Sequence, residues 1–494
     1  MPNPCALSSA SFLHDLGKSP CVGLPAANYT AVCEQIASGL TSPESVVYWP
    51  GSEEYTLAVT HFAASNSEAA ACSIAPASPE DVGEILRVVA STSTPFAVKG
   101  GGHNTTPGSS STKGVHIAMQ RFSDITYHGE EQLADVGAGL DWGEVYTDLQ
   151  QYNVTVAGGR DYGVGVGGLS LIGGWSWLTQ AHGLTVDNIV GYQLVLPNGD
   201  LTEVTEEDQP DLFFALKGGG NNFGIVTRFT MRTYPQGPMW GGQLAYSGAQ
   251  LELFIDAMLD FQQQTDPKAA VLSGYRIQSS GQAAMLAVVY YNAPNPPPGI
   301  FDKFLAIPTI VNSVVAGRTL SSFIQTYAPP KRTGKRIFAE GTHALGYTAN
   351  MMRQIYLDTE ATAKKIAPFS GVNVDATFFP LLGDAFKSND FETAWPPNRD
   401  LVLLPSYVQA QFDDAAHDQV IRDELVRLRA KWRELAIAEG QYPASTDQRY
   451  EYTASAGPNT TLEEIYGPNV ARLREIKHDV DPDNVMGLAG GFKF

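Results

Sequence analysis

In the stretch PFAVKGGGHNTT a short apolar run ends in Gly100, Gly101 and Gly102, and His103 and Asn104 follow at once. Glycine is needed where φ is positive or where another group comes close to the backbone. A neutral imidazole placed beside such a loop is a competent nucleophile. A second segment, AGGRDYGVGVGGLSLIGG, contains Val164, Gly165, Val166, Gly167 and Gly168, and a third, LKGGGNNFGIVT, follows it. Together the three clusters imply one large ligand held by main-chain N–H groups, donors that suit phosphate and carbonyl oxygens. Gly163, Gly165 and Gly168 also satisfy G-x-G-x-x-G. No apolar strand precedes them and no acidic residue follows a second strand at the required spacing, which rejects an ordinary NAD site.

The elements that must position these residues are legible around them. Ser78 can cap a helix with Pro79 in its first turn and Asp81 completing a capping box, and Val82, Ile85, Leu86 and Val89 recur at helical spacing. The strand PFAVKG follows that helix directly, so the first glycine loop sits at a strand end. GVHIAM and LADVGAG read as further strands, and DWGEVYTDLQQY as a helix. From about Pro235 to Asp447 glycine thins out. There LSGYRIQSSGQAAMLAVVYY reads as a hairpin and DQVIRDELVRLRAKWRELA as a helix, a pattern of antiparallel strands backed by helices. The tail YGPNVARLREIKHDVDP is helical, with Val470, Leu473, Ile476 and Val480 on one face.

The composition narrows the classes of function. With 494 residues and 43% hydrophobic content the chain is long enough for two domains. Lys and Arg total 32 against 52 Asp and Glu, a net charge of −20, and no basic stripe occurs, which argues against nucleic acid. No apolar run is long enough to cross a bilayer, and the nine histidines lack metal-ligand spacing. All four cysteines, Cys5, Cys21, Cys33 and Cys72, lie in the first 72 residues, and a Cys33–Cys72 bridge is expected. Sequons occur at Asn28, Asn153 and Asn459, with a fourth at Asn104 too near the glycine loop to carry a glycan. Clustered cysteines, sequons and acidic charge favour a secreted protein whose signal peptide was removed before this numbering begins.

Five segments in order, KGGGHN, VGVGGLSLIGG, HGLTVDNIVGYQLVLPNGD, LFFALKGGGNNFGIVT and YGPNVARLREIKHDVDPDNVM, resemble the berberine-bridge-enzyme-like branch of the vanillyl-alcohol oxidase and p-cresol methylhydroxylase flavoproteins. The resemblance implies an α+β fold of two domains: an FAD-binding domain from residues 1–234 and 448–494, and an inserted substrate domain from residues 235–447. It implies FAD bound covalently through His103. Many relatives add a second bond from a cysteine at the position held here by Asp161, so a single bond is expected. Gly100 to Gly102, Asn104, Val164, Gly165 to Gly168 with Val166 among them, Asn188, Ile225 and Asn484 match cofactor-contacting positions, and Val164 falls where a small residue admits oxygen.

The chemistry implied is hydride transfer from an alcohol carbon of a small molecule to the flavin, with O2 reduced to H2O2. The alcohol must also lose a proton, and a tyrosine of pKa ~10 is too weak a base unless nearby positive charge or hydrogen bonding favours its phenolate. Relatives use the second tyrosine of Y-x-N-Y. Here RYEYTASAG aligns Tyr450 with the first tyrosine, puts Tyr452 at the asparagine and Thr453 at the catalytic position. Tyr452 becomes the base only if the register shifts by one, which along a strand reverses the face. Tyr407 follows as second candidate, on one face of a strand with Gln409 and Gln411. A carbohydrate and a phenolic or other secondary metabolite both suit such aromatic residues as substrate. A monomer is expected.

Overall fold

The computed structural model describes residues 29–494 apart from 330, 384, 387–390, 446–447 and 458. Cys5, Cys21 and the sequon at Asn28 lie outside the described residues. Three sheets follow one another along the chain. The first contains β1 (Val46–Tyr48), β2 (Cys72–Ala75), β3 (Phe96–Lys99) and β4 (Val115–Ala118) in the order β1-β2-β4-β3. β2 and β3 both run parallel to β4. β2 and β3 thus run the same way on either side of β4, and the helix Pro79–Thr92 supplies the crossover between them, burying Val82, Ile85, Leu86 and Val89. Ser78 caps its N-terminus by accepting from the Asp81 N–H. Asp81 does not complete a capping box. Its carboxylate instead accepts from Thr41 N at 2.7 Å and Ser45 Oγ at 2.6 Å, tying down the preceding loop. Cys33 and Cys72 form the expected disulfide between the helix Thr30–Gly39 and β2.

The second sheet is antiparallel. β5 (Ile125–His128), β6 (Leu133–Gly137), β7 (Val154–Val156), β8 (Ile189–Val195), β9 (Leu201–Val204) and β10 (Ile225–Pro235) take the order β5-β6-β10-β8-β9, with β7 also on β10. The third has eight strands: β11 (Met239–Ser247), β12 (Ala269–Gln278), β13 (Ala283–Tyr291), β14 (Thr309–Asn312), β15 (Val315–Arg318), β16 (Arg336–Ala344), β17 (Asn373–Phe378) and β18 (Leu404–Phe412). Their order is β14-β11-β13-β12-β17-β18-β16, with β15 on β11, and every pairing is antiparallel. The helices Ala349–Ile366 and Asp418–Ala438 pack on this sheet. β12 and β13 form the hairpin read from LSGYRIQSSGQAAMLAVVYY.

The C-terminal segment packs back on the first half of the chain. Its helix Val470–Val480 lies on the helix Pro210–Leu216, and Ala489 bridges Phe96 beside the first glycine loop. Val470, Leu473 and Ile476 are buried, as their spacing requires. One expectation is corrected. Residues 449–455 are irregular chain ending in a turn, with Ser455 N donating to Tyr452 O at 3.0 Å, so the alternation of faces along a strand does not apply to RYEYT. No described helix is long and apolar enough to cross a membrane, and no described His, Cys, Asp and Glu residues group as metal ligands.

Candidate functional site

The first two glycine clusters pack against each other. A Cβ on Gly101 would strike the backbone N of Gly165, and one on Gly165 would strike Gly101 N, so neither position admits a side chain. What approaches the backbone at Gly101 is therefore the second glycine segment itself. A Cβ on Gly100 would lie 3.3 Å from the Ala138 carbonyl oxygen, and Gly102 has φ +69°, a conformation that disfavours side chains. Val166 N and Gly167 N are taken by Leu140 O and Ala138 O, whereas a Cβ at Gly168 would meet open space. Gly101→Ala is expected to lower stability by about 1–3 kcal/mol, the usual penalty of overpacking, read as a fall in thermal unfolding temperature. Gly168→Ala, by contrast, should leave it unchanged.

Against the two loops lies a cleft of ≈ 460 Å³ whose walls include Lys99, Gly100, Gly101, Asp141, Lys331 and Arg332. That size suits a nucleotide-sized ligand. Lys331 Nζ pairs with Asp141 at 2.6 Å, while Lys99 Nζ donates to Ala58 O and Thr60 O at 2.6 and 2.8 Å. Burial, with the Arg332 charge adding to it, pushes the Lys99 amine down to about 8.

His103 stacks on Phe62, with ring centroids 4.0 Å apart and planes 10° from parallel. It keeps part of its surface exposed, yet the atoms around the ring desolvate it and push its pKa down, opposed by the Asp161 carboxylate. The imidazole is thus held neutral, the form a nucleophile needs. The loop behind it is fixed from both sides: Phe62 N donates to Gly102 O at 3.0 Å and Asn66 Nδ2 to Asn104 O at 2.9 Å. The same short segment reaches β16, since Ser65 Oγ donates to Ile337 O at 2.8 Å. The histidine loop and the third sheet are thereby clamped together.

Arg160, in the AGGRDY portion of the second glycine segment, is the residue that sequence reasoning passed over. Its carbonyl accepts from Tyr327 Oη at 2.6 Å and from Trp177 Nε1 at 3.2 Å, and its guanidinium lies 4.3 Å from the centroid of Phe379. The Nη1 atom is buried without a protein partner. Burial pushes the hydroxyls of Tyr452 and Tyr407 above the usual tyrosine range, and in both the Arg160 charge is the leading influence in the opposite direction. Tyr452 packs on Trp395 and Trp175 at 5.0 and 5.7 Å. Tyr407 lies on β18 opposite Thr377 of β17. Asp161 acts electrostatically on both His103 and Tyr407, opposing the fall in the one and adding to the rise in the other. A charged residue set among glycines was the available signal.

The remaining candidates are distributed as follows. Thr453 begins the turn after Tyr452. Tyr450 is buried, edge-on to Trp395 at 5.6 Å. Val164 is half-buried beside Gly165 and Val166. The Asn188 amide donates to His182 O and Leu184 O at 3.0 and 2.7 Å and accepts from Tyr234, so its side chain is spent on local structure. Ile225 begins β10, buried opposite Val195. Asn484 adopts φ +53° in the turn after the C-terminal helix and accepts from Lys477 Nζ at 3.1 Å.

Comparison with known proteins agrees with this geometry. Residues 70–205 match the family described as FAD binding domain, and residues 460–489 the one described as berberine and berberine like. The FAD-dependent monooxygenase tpcD of Cochliobolus heterostrophus is 42% identical over 242 residues, 47% of this chain, which spans about half that relative's length, 46%. The FAD-dependent monooxygenase sdcF of Emericella nidulans is 28% identical over 480 residues, 92% of this chain and 96% of the relative. Among solved structures, glucooligosaccharide oxidase from Acremonium strictum superposes with a TM-score of 0.73 at 20% identity, covering 93% of this chain and 98% of that one, a likeness of fold. The two matched segments carry the features that the sequence resemblance names, an FAD-binding domain and a berberine-like C-terminal segment.

Proposed function

We propose that this protein oxidises an alcohol carbon of a small ring-bearing substrate, a carbohydrate or a phenolic metabolite, with FAD carried on a single bond to His103 and O2 as the acceptor. The residues present fit that cofactor. The cleft beside Gly100 and Gly101 carries Lys99 and Arg332 for a diphosphate, Gly168 offers open backbone, and His103 is a neutral imidazole. The solved Acremonium strictum enzyme is described with a 6-S-cysteinyl, 8α-N1-histidyl FAD. Here Asp161 stands where the resemblance places the cysteine, and among the described residues both cysteines are joined to each other. Bound there, FAD supplies the two-electron acceptor and the place where O2 is reduced.

The observation that carries this reading is Arg160, which sets a positive charge against two half-buried tyrosines, Tyr452 and Tyr407. Tyr452 takes the substrate hydroxyl proton, with Arg160 stabilising the negative charge that develops on the phenol oxygen. Trp175 and Trp395, both buried, pack against Tyr452 and hold its ring in place. In this reading residues 1–234 and 448–494 hold the flavin and residues 235–447 present the substrate. The Cys33–Cys72 bridge and the exposed sequon asparagines Asn153 and Asn459 support secretion.

A second reading, a tailoring enzyme acting on one biosynthetic intermediate, is favoured by the monooxygenase names of tpcD and sdcF. One experiment separates the two. The purified protein is incubated under ¹⁸O2 with cellobiose, xylobiose, benzyl alcohol and vanillyl alcohol, and carbonyl product, H2O2 and label are measured. Carbonyl and H2O2 in equal amounts without label is the expected result. Label in the organic product would replace the oxidase reading, and no consumption of any of the four would remove its alcohol-oxidising part.

A further inference from the structure

Beside Tyr452 lies a small cavity of ≈ 20 Å³ lined by Thr342, His343, Tyr450 and Glu451 as well as Trp175 and Trp395. Its walls are polar to an unusual degree. Both ring nitrogens of His343, Thr342 Oγ1 and the Tyr450 hydroxyl are buried and have no protein hydrogen-bond partner. Leaving a buried polar atom unpaired costs about 1–3 kcal/mol, and a cavity above ~10–15 Å³ with several polar groups holds a water molecule. His343 is 5% exposed and Glu451 4%. His343 Nδ1 stands 3.8 Å from Glu451 Oε2, and Glu451 also pairs with Arg433. Burial works to raise the Glu451 carboxyl, and the neighbouring cations Arg433 and Arg429 act against it, so the net shift is downward.

The alcohol reaction leaves a difficulty that this pair resolves. Burial keeps the Tyr452 hydroxyl protonated, so Tyr452 can take a proton only by giving up its own. We propose that His343 is the terminal proton acceptor of a relay, reached from Tyr452 through water in this cavity and oriented by Glu451. The inference rests on the oxidase reading of the site. As the substrate C–H hydrogen leaves with its electron pair, the substrate O–H proton passes to the Tyr452 oxygen. The former Tyr452 proton passes through the water to His343 Nε2, and the Glu451 carboxylate, 3.8 Å from Nδ1, stabilises the imidazolium by its charge. The product is a carbonyl, and the proton returns to solvent between turnovers. His343 acts through Tyr452 and is therefore a positioning and proton-storing residue.

The other groups around the ring are compatible with this role. Tyr442 stacks on His343 at 5.0 Å and Tyr450 at 6.1 Å. The charges behind the pair are Arg433, Arg429 and Glu340, with Arg429 Nη1 3.2 Å from Glu340 Oε2.

Two measurements on the full chain test the relay. In the first, flavin reduction by cellobiose and vanillyl alcohol is followed anaerobically across pH 5–9 in wild type, His343→Gln and His343→Ala. His343→Gln is expected to slow reduction by ~10²-fold with KM little changed and to lose the acid limb of the profile. Added imidazole is expected to restore rate to His343→Ala. A variant that keeps the wild-type acid limb, or an alanine variant deaf to imidazole, overturns the relay. If neither alcohol reduces the wild type, the oxidase reading fails by that result alone. The relay is then decided by ¹⁵N-histidine spectra, where the resonance lost in His343→Gln must be neutral with its proton on Nδ1 at pH 8. An imidazolium, or an Nε2–H form, contradicts it.

Discussion

Tyr452→Phe protein is expected to retain its flavin and its fold and to oxidise any accepted alcohol at least ~10²-fold more slowly than the wild type, the scale of a lost general base. The phenylalanine keeps the ring contacts with Trp395 and Trp175, which are 5.0 and 5.7 Å between centroids, so stability should change little. Only the hydroxyl is removed. Tyr407→Phe is the control. Tyr407 is influenced by the same guanidinium from β18, and its loss is expected to slow the reaction by no more than ~10-fold if Tyr452 is the base. Equal effects of the two substitutions would transfer the role to the pair, and an unimpaired Tyr452→Phe would remove Tyr452 from the reaction.

Arg160→Met is expected to have an effect of similar size, ~10²-fold or more on kcat, the cost of removing a preorganised charge from a developing oxyanion. Methionine preserves apolar packing over Phe379, where the guanidinium now lies 4.3 Å from the ring. Without the positive charge, burial acts unopposed by Arg160 on both tyrosines, so their pKa values rise further and any rate gained by ionising them moves to higher pH. Arg160→Lys keeps a charge but not the planar fork and should recover part of the rate. An Arg160→Met enzyme with wild-type kcat at all pH values would contradict the role.

The elements were legible where a regular period repeats. The helix Pro79–Thr92 follows from Val82, Ile85, Leu86 and Val89, and the β12/β13 hairpin from its alternation. The Cys33–Cys72 bridge was also within reach, since all four cysteines crowd one short stretch. Irregular chain carries no such period, which is why RYEYT invited a strand argument that the turn at Thr453 makes void. Reading the glycines as a ligand cradle left out a contact within the chain itself. Gly101 and Gly165 are excluded from having side chains by each other, a contact between segments far apart in sequence. Arg160 and His343 were hidden for the same reason. Arg160 touches Tyr327 and Phe379 and acts electrostatically on Tyr407 and Tyr452, all distant from it in sequence. His343, on strand β16, meets Glu451 of an irregular loop far along the chain, and nothing local marks either. Local pattern reveals elements, whereas the meeting of side chains from distant segments is a property of packing.

The measurement that bears most directly on the account is peptide mapping by mass spectrometry of acid-precipitated wild-type protein, with His103→Ala beside it. The account predicts that visible colour stays with the pellet and that one flavin-bearing peptide is found, linked at His103 and at no second residue. Colour from His103→Ala should pass entirely to the supernatant. Flavin released from the wild type, or a linkage at any other residue, would contradict the assignment of the glycine loops and His103 on which the rest depends.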